Sequence, residues 1–347
     1  MQGLNMKRFE WRAGTVAVLL GLCTWQAHAA ESVTFAGWGG ALQDAERKAY
    51  LEPAAKNLGI AVKEDNMDGL AAVRAQVMSG KPKWDVVELA SNDCMVAEKE
   101  GLTEPLDFSV IKTDGVDPRF YGKNWIASHA YSTVLAWSTE GGAAKAQTWK
   151  DFFDPSVKGP RALYRNPFTT LEVALLADGV APKDLYPLDV ERAFKVLERI
   201  KPQVVNWWSS GTDSAQLLRS HEVDFLAIWA SRVEDLKKAG QPVDYTYDKA
   251  LLDYDCVVVP KGAPNKAQAM KLIAQIMSPQ SQAMLATLIP NPPVNSKAFD
   301  TGIIPAELAS KLPTAPANVD KVAFFDPAWW QGRQAELQQR FDLFIQN

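Results

Sequence analysis

The chain has 347 residues, with 37 Lys and Arg against 41 Asp and Glu, for a formal net charge of −4. An acidic balance argues against nucleic acid or an anionic membrane as partner, because both call for a basic patch. The length exceeds the usual size of one hydrophobic core and points to two lobes.

The first 29 residues have the three parts of a secretory signal: basic Lys7, Arg8 and Arg12, an apolar run from Ala13 to Leu22, and Ala27-His28-Ala29 before Glu31. About ten apolar residues are too few to cross a hydrocarbon core that needs roughly 20. Cleavage is expected after Ala29, and Leu22 ahead of Cys23 argues against a lipid-modified site. The mature chain then holds 34 basic and 40 acidic residues, a balance of −6. No later segment reads as apolar enough to span a membrane.

Val33-Thr34-Phe35-Ala36 reads as a strand, and the turn Gly37-Trp38-Gly39-Gly40 opens a helical segment through Ala55. Ile60 to Val62 is a strand, Gly69 to Ser79 a helix, and Trp84 to Leu89 a strand with a polar end. Val134 to Ser138 is another strand, and Thr148-Trp149-Lys150-Asp151 has the form of a capping box. The segment Asp189 to Ile200 carries apolar residues at helical spacing, and Val223 to Trp229 reads as a buried strand. Cys256 to Val259 is a strand, Ser278-Pro279 starts a helix, and Asp326-Pro327 caps a single final helix carrying Trp329, Trp330, Leu337, Phe341 and Phe344. Alternating strands and helices predict an α/β fold with a mainly parallel sheet.

Two cysteines remain after maturation, Cys94 and Cys256, in a compartment where disulfides persist. A bridge and a pair of small buried hydrophobes both fit the sequence, which does not place their Cα atoms. His129 and His221 are isolated and lack ligand spacing, so no metal and no cofactor are expected. The turn at Gly37 has neither dinucleotide-binding spacing nor a phosphate-loop lysine.

Several landmarks coincide in order: the first strand with Gly37-Trp38-Gly39-Gly40, Trp84-Asp85-Val86-Val87 leading to Ala90-Ser91-Asn92-Asp93, Trp207-Trp208, Val223 to Trp229 before Ala230-Ser231-Arg232, Asp253-Tyr254-Asp255, and Trp329-Trp330. Together they resemble the spermidine/putrescine-type periplasmic solute-binding proteins of ABC transporters. The resemblance implies a two-lobed periplasmic-binding-protein fold, type II-like, with a ligand cleft between lobes and closure by hinge motion. It implies crossings near Ser138 to Gly142 and Leu252 to Asp255. The expected division is a signal peptide over 1–29, a discontinuous first lobe over 30–138 plus 255–310, a second lobe over 139–254, and C-terminal helices over 311–347.

Ligand clefts in open α/β lobes lie at the carboxyl ends of strands. That rule selects Trp38, Ser91, Asn92, Asp93, Trp229 and Arg232. Asp93 suits either a ligand or the cap of the next helix. Trp38 and Trp229 match the family's aromatic walls, and Asp255 matches an aspartate used for an amine; Asp253 is on the same strand face. Where polyamine binders are similar in carrying an acidic pair, this chain has Arg165-Asn166-Pro167. Arg232 also falls at a helix start, where an anion is already favoured. One carboxylate end and one arginine end suit a small zwitterionic amine such as 4-aminobutyrate, and the pattern resembles the 4-aminobutyrate-binding branch of the family. A surface pair of Arg232 with Glu234 or Asp235 is the structural rival for that residue.

The resemblance implies a small-molecule ligand and a transporter permease as partners, a periplasmic location, and a monomer. The alternative is a polyamine binder in which neither arginine faces the cleft. An enzyme is not expected, since no Gly-x-Ser-x-Gly elbow or catalytic histidine motif occurs. Ferric-ion binding would call for adjacent tyrosines, and the nearest approach, Tyr245 and Tyr247, reads as loop.

Overall fold

In a computed structural model the protein is described over residues 31–140 and 146–346; the expected signal segment and its cleavage point lie outside the described residues. Among the described residues no helix is long and apolar enough to cross a membrane. Nine strands form one sheet: β1 (Ser32–Gly37), β2 (Ala61–Asn66), β3 (Val86–Ala90), β4 (Trp125–Ser138), β5 (Arg161–Tyr164), β6 (Val204–Trp208), β7 (Phe225–Trp229), β8 (Val243–Val258) and β9 (Ala323–Phe324). Their order is β2-β1-β3-β8-β4-β7-β5-β6, with β9 on β8.

Two parallel blocks sit at either end of an antiparallel ribbon. β1 pairs in parallel with β2 and β3, and β5 with β6 and β7. β4 and β8 are long enough to serve both blocks. β3 lies against Asp255 to Val258 of β8, while β7 lies against Thr133 to Trp137 of β4. Between these stretches Ala130, Tyr131 and Ser132 pair only with Tyr254, Asp253 and Leu252. The change of neighbours in β4 therefore falls before the expected Ser138 to Gly142. The reason lies in the first half of β4: Ser128, His129 and Ser132 are buried polar residues, so a strand that reads as apolar only from Val134 actually begins at Trp125. Tyr245 and Tyr247 also lie in β8 rather than in a loop, with the Tyr245 hydroxyl donating to Glu234 at 2.7 Å.

Local signals set most helix ends. Thr148 and Asp151 form the reciprocal capping box, Asp189 caps Val190–Ile200, and Ser278 caps Pro279–Leu288. The first helical segment is not uniform. Gly40–Glu46 passes through a wide π turn, Arg47–Leu51, into Glu52–Leu58. Pro53 has no N–H to give to the turn before it, and the wider turn absorbs the gap. The expected single final helix is two, Pro327–Trp330 and Gln334–Gln346, because Gly332 turns the chain at φ 79°.

A first core gathers around Phe35, Tyr50, Leu89, Trp125 and Val257, and a second around Phe152, Leu171, Phe225, Trp330 and Phe341. Cys94 and Cys256 form a disulfide with Cα atoms 6.5 Å apart, tying the helix Ser91–Lys99 to β8. The second core also holds a carboxyl group. Glu172 accepts hydrogen bonds from the Tyr186 hydroxyl at 2.6 Å and the Trp330 indole at 2.8 Å, and burial pushes its pKa up to about 7. A carboxyl raised in the folded state contributes its stability below the ordinary value of 4.5, and that contribution is lost as pH rises toward 7. Glu172→Gln keeps both accepted bonds on one oxygen. The variant is expected to match the parent near pH 4.5 and to exceed it by about 3 kcal/mol at pH 8. Chemical denaturation at the two pH values checks this, and an equal stability difference at both would contradict it.

Candidate functional site

The carboxyl ends of β1 and β3 lie side by side, and Ala90 at the end of β3 pairs with Asp255 of β8. Trp38 follows β1 and is 39% exposed, and the next residue, Gly39, has a φ of 76° that a Cβ would strain against Asn66. Ser91 starts the helix Ser91–Lys99 and donates to Asp253 Oδ1 at 2.7 Å. Tyr131 donates to Asp253 Oδ2 at 2.8 Å, and the Tyr254 amide adds a third bond at 2.8 Å. Burial still pushes Asp253 up to about 6, against the pull of these donors and with Asp255 adding to the rise. Asp253 is thus buried and engaged, not solvated.

Asp255 shares the strand face of Asp253, while Tyr254 between them stacks on Trp125 on the other face. The Asp255 carboxylate lies 3.4 Å from Nε2 of His129 and keeps 12% of its side chain exposed. Asp93 is inside its helix rather than at the cap, which is Ala90. Its carboxyl is raised by burial, with partial offset from Arg74 and from the Leu70 amide. Asn92 is half-buried and reaches only Asp93, at 3.4 Å.

A second group of residues is aromatic and basic. Tyr164 stacks on Trp208 with centroids 4.4 Å apart, and Trp229 meets both rings edge-on at 6.0 and 5.5 Å. Trp207 faces away, onto Phe341 of the second core. Arg232 sits in the first turn of Ala230–Lys238, the helix that Trp229 opens. A Cβ on Gly211 would come 2.5 Å from Arg232 Nε and 2.9 Å from the Trp229 ring, so both side chains rest on that glycine. Arg232 forms no ion pair among the described residues, and its buried Nε has no hydrogen-bond partner. Glu234, the rival partner, takes the Tyr245 hydroxyl instead.

Arg165 is exposed, its backbone amide donating to the Trp208 carbonyl, and Asn166 accepts from the Phe168 amide. Just beyond, Thr169 is buried at φ 64°, a conformation costly for a β-branched residue. The structure therefore joins Ser91 to Asp253 by a hydrogen bond with Asp255 on the same strand face, sets Trp38 just after β1, and packs Trp229 and Arg232 together on Gly211. It adds Tyr131, Tyr164 and Trp208, of which Tyr131 is reached only through its register opposite Asp253. A cavity of about 750 Å³ opens on the other face of β8, beside Tyr254, Trp125 and Phe324, and none of the expected residues lines it.

Residues 48–316 match the family of bacterial extracellular solute-binding proteins. The chain is 34% identical over 322 residues to the gamma-aminobutyric acid-binding protein of Pseudomonas aeruginosa, covering 90% of this chain and 91% of that one. An ABC transporter substrate-binding protein from Bradyrhizobium japonicum superposes with a TM-score of 0.85 at 42% identity, over 90% of this chain and 99% of the other. The PBP AgtB of A. tumefaciens R10, in complex with agropinic acid, gives 0.77 at 36% identity, over 92% and 100%.

Proposed function

The chain belongs to the bacterial extracellular solute-binding proteins, the ligand-capturing components of ABC transporters, and we propose that it captures a small zwitterionic amine of the 4-aminobutyrate type. Family membership does not name the ligand, since relatives of similar identity are described with gamma-aminobutyric acid and with agropinic acid. The observation that carries the reading is Arg232: a guanidinium beside Trp229 with no acidic partner among the described residues and one buried N–H unused. A carboxylate from outside satisfies it in a bidentate manner, at a helix start that already favours an anion. A dication would set an ammonium against it.

In this reading Asp255 takes the ligand ammonium, and Asp253 is held in place by Ser91 and Tyr131. Trp38 and Trp229 cover the methylene chain, by apolar contact and by cation–π attraction at the amine end. Asn92, Asp93, Arg165 and Asn166 stand at the rim, where Arg165 adds positive potential for an incoming carboxylate. The first lobe comprises residues up to Ala130 with 255–310, the second runs from Thr133 to Leu251, and the C-terminal segment packs on both cores, through Val322 on the first and Phe325, Trp330 and Phe341 on the second. The pairing Ala130 to Ser132 with Leu252 to Tyr254 is the hinge, because the strands of the two parallel blocks do not reach it and β9 touches it only at Leu252. The protein acts in the periplasm as a monomer and delivers its ligand to a permease.

Thermal unfolding with 4-aminobutyrate, butyrate and butylamine tests the need for both charges. At a hundredfold excess over its dissociation constant a ligand stabilises by about 2.7 kcal/mol. Only the molecule bearing both charges is expected to raise the melting temperature. Equal stabilisation by butylamine would remove Arg232 from the site.

A further inference from the structure

Behind Asp255 lies a buried set of groups that the contacts proposed above do not use. His129, on β4, is 1% exposed. Its Nε2 faces Asp255 Oδ2 at 3.4 Å, and its Nδ1 faces Glu88 Oε1 at 3.6 Å and Glu46 Oε1 at 3.7 Å. Glu46 and Glu88 are wholly buried, and both oxygens of Glu46 and Oε2 of Glu88 lack hydrogen-bond partners. The π turn after Glu46 seats this arrangement: the Tyr50 hydroxyl donates to the Ser128 carbonyl at 2.9 Å, next to the histidine.

The imidazole is crowded: Nδ1 also meets the Ser128 hydroxyl at 3.3 Å, and Nε2 makes no hydrogen bond at its 3.4 Å separation from Asp255. Three buried carboxyl groups press on one imidazole, and like charges this close disfavour ionising all three, so the cluster is a place where a proton is held. The groups against the imidazole are Glu46 from the first helical segment, Glu88 from β3, Asp255 from β8 and the neighbouring Ser128 hydroxyl, while Tyr50 lies near the two glutamates and Asp253 near Asp255. Glu64 of β2 is taken by Arg47 at 2.6 Å, and the helix Pro279–Leu288 contributes the neutral Gln282.

We propose that His129, backed by Glu88 and Glu46, is a positioning residue for the ligand's amine: it holds and shares the charge of Asp255, so that capture of an ammonium releases a proton from this cluster to solvent. The inference rests on Asp255 receiving the ammonium. An arriving cation adds a second positive neighbour to Asp255, and a like charge so close disfavours the proton. Burial works against the imidazolium, but the nearness of Asp255 and the charge of Glu88 outweigh it and hold His129 above its usual range. Burial also raises Glu46 and Glu88, Glu46 further through the charge of Glu88.

Two arms test this. Titration calorimetry of the mature protein with 4-aminobutyrate, in buffers of different ionisation enthalpy, is expected to report proton release and an affinity that falls about tenfold as pH drops from 8 to 5. His129→Gln is expected to bind without proton release and with a flatter pH profile; a variant that keeps the parent's profile overturns the proposal. The second arm needs no ligand. His129 and His221 are the two histidines of the mature chain. The imidazole signal of His129 is expected to titrate about one pH unit lower in Asp255→Asn than in the parent, and an unshifted midpoint overturns the proposal. The shift in Asp255→Asn together with no heat from the parent and 4-aminobutyrate overturns the ligand reading alone.

Discussion

Arg232→Ala is expected to weaken capture of 4-aminobutyrate by 2–5 kcal/mol, on the order of thirtyfold to several thousandfold in the dissociation constant. The loss has two parts. The bidentate bond disappears, and the ligand carboxylate is left unpaired in a site walled by Trp229, Trp208 and Tyr164. Stability of the ligand-free protein should be nearly unchanged, because Arg232 makes no ion pair among the described residues and its Nε bonds to nothing. Arg232→Lys should recover only part of the affinity, since an ammonium is a point charge without the planar fork. Calorimetry on the three proteins checks both statements. Parent-like affinity in the alanine variant would make the arginine structural.

Removing the disulfide is expected to have the largest effect on stability. Cys94 and Cys256 are 162 residues apart, so the bridge closes a very long loop in the unfolded chain. The double variant Cys94→Ala, Cys256→Ala should lose 2–5 kcal/mol and melt roughly 5–15 °C lower. Affinity should fall as well. Cys256 is adjacent to Asp255, and the bridge holds the helix whose first residue, Ser91, bonds Asp253. Thermal unfolding of parent and variant measures the first effect, and an unchanged melting temperature would contradict it.

The sequence carries the fold class, the capped helix starts and most strand positions, because those depend on neighbours along the chain. Thr148, Ser278 and Asp326 are read correctly for that reason. The ribbon at the centre is harder to read. The polar first half of β4 becomes a strand only because Asp255 and Glu88 supply partners for His129 and Ser128, and Asp253 one for Tyr131. His129 looks isolated in sequence since its carboxylate neighbours come from three other elements. The two-residue period places Asp253 and Asp255 on one face, but it does not tell that Ser91 and Tyr131 engage one of them. The same holds for the arginines: spacing puts Arg165 and Arg232 near strand ends, and only packing on Gly211 distinguishes the half-buried one from the exposed one.

A site with Arg232 at one end and Asp255 at the other takes one negative and one positive group at once. Titration calorimetry of the mature protein against 4-aminobutyrate and putrescine, in one buffer at one pH, tests this. One-to-one binding of 4-aminobutyrate is expected, with putrescine at least about a hundredfold weaker, a gap of about 2.7 kcal/mol. Tight binding of putrescine with no response to 4-aminobutyrate would contradict it.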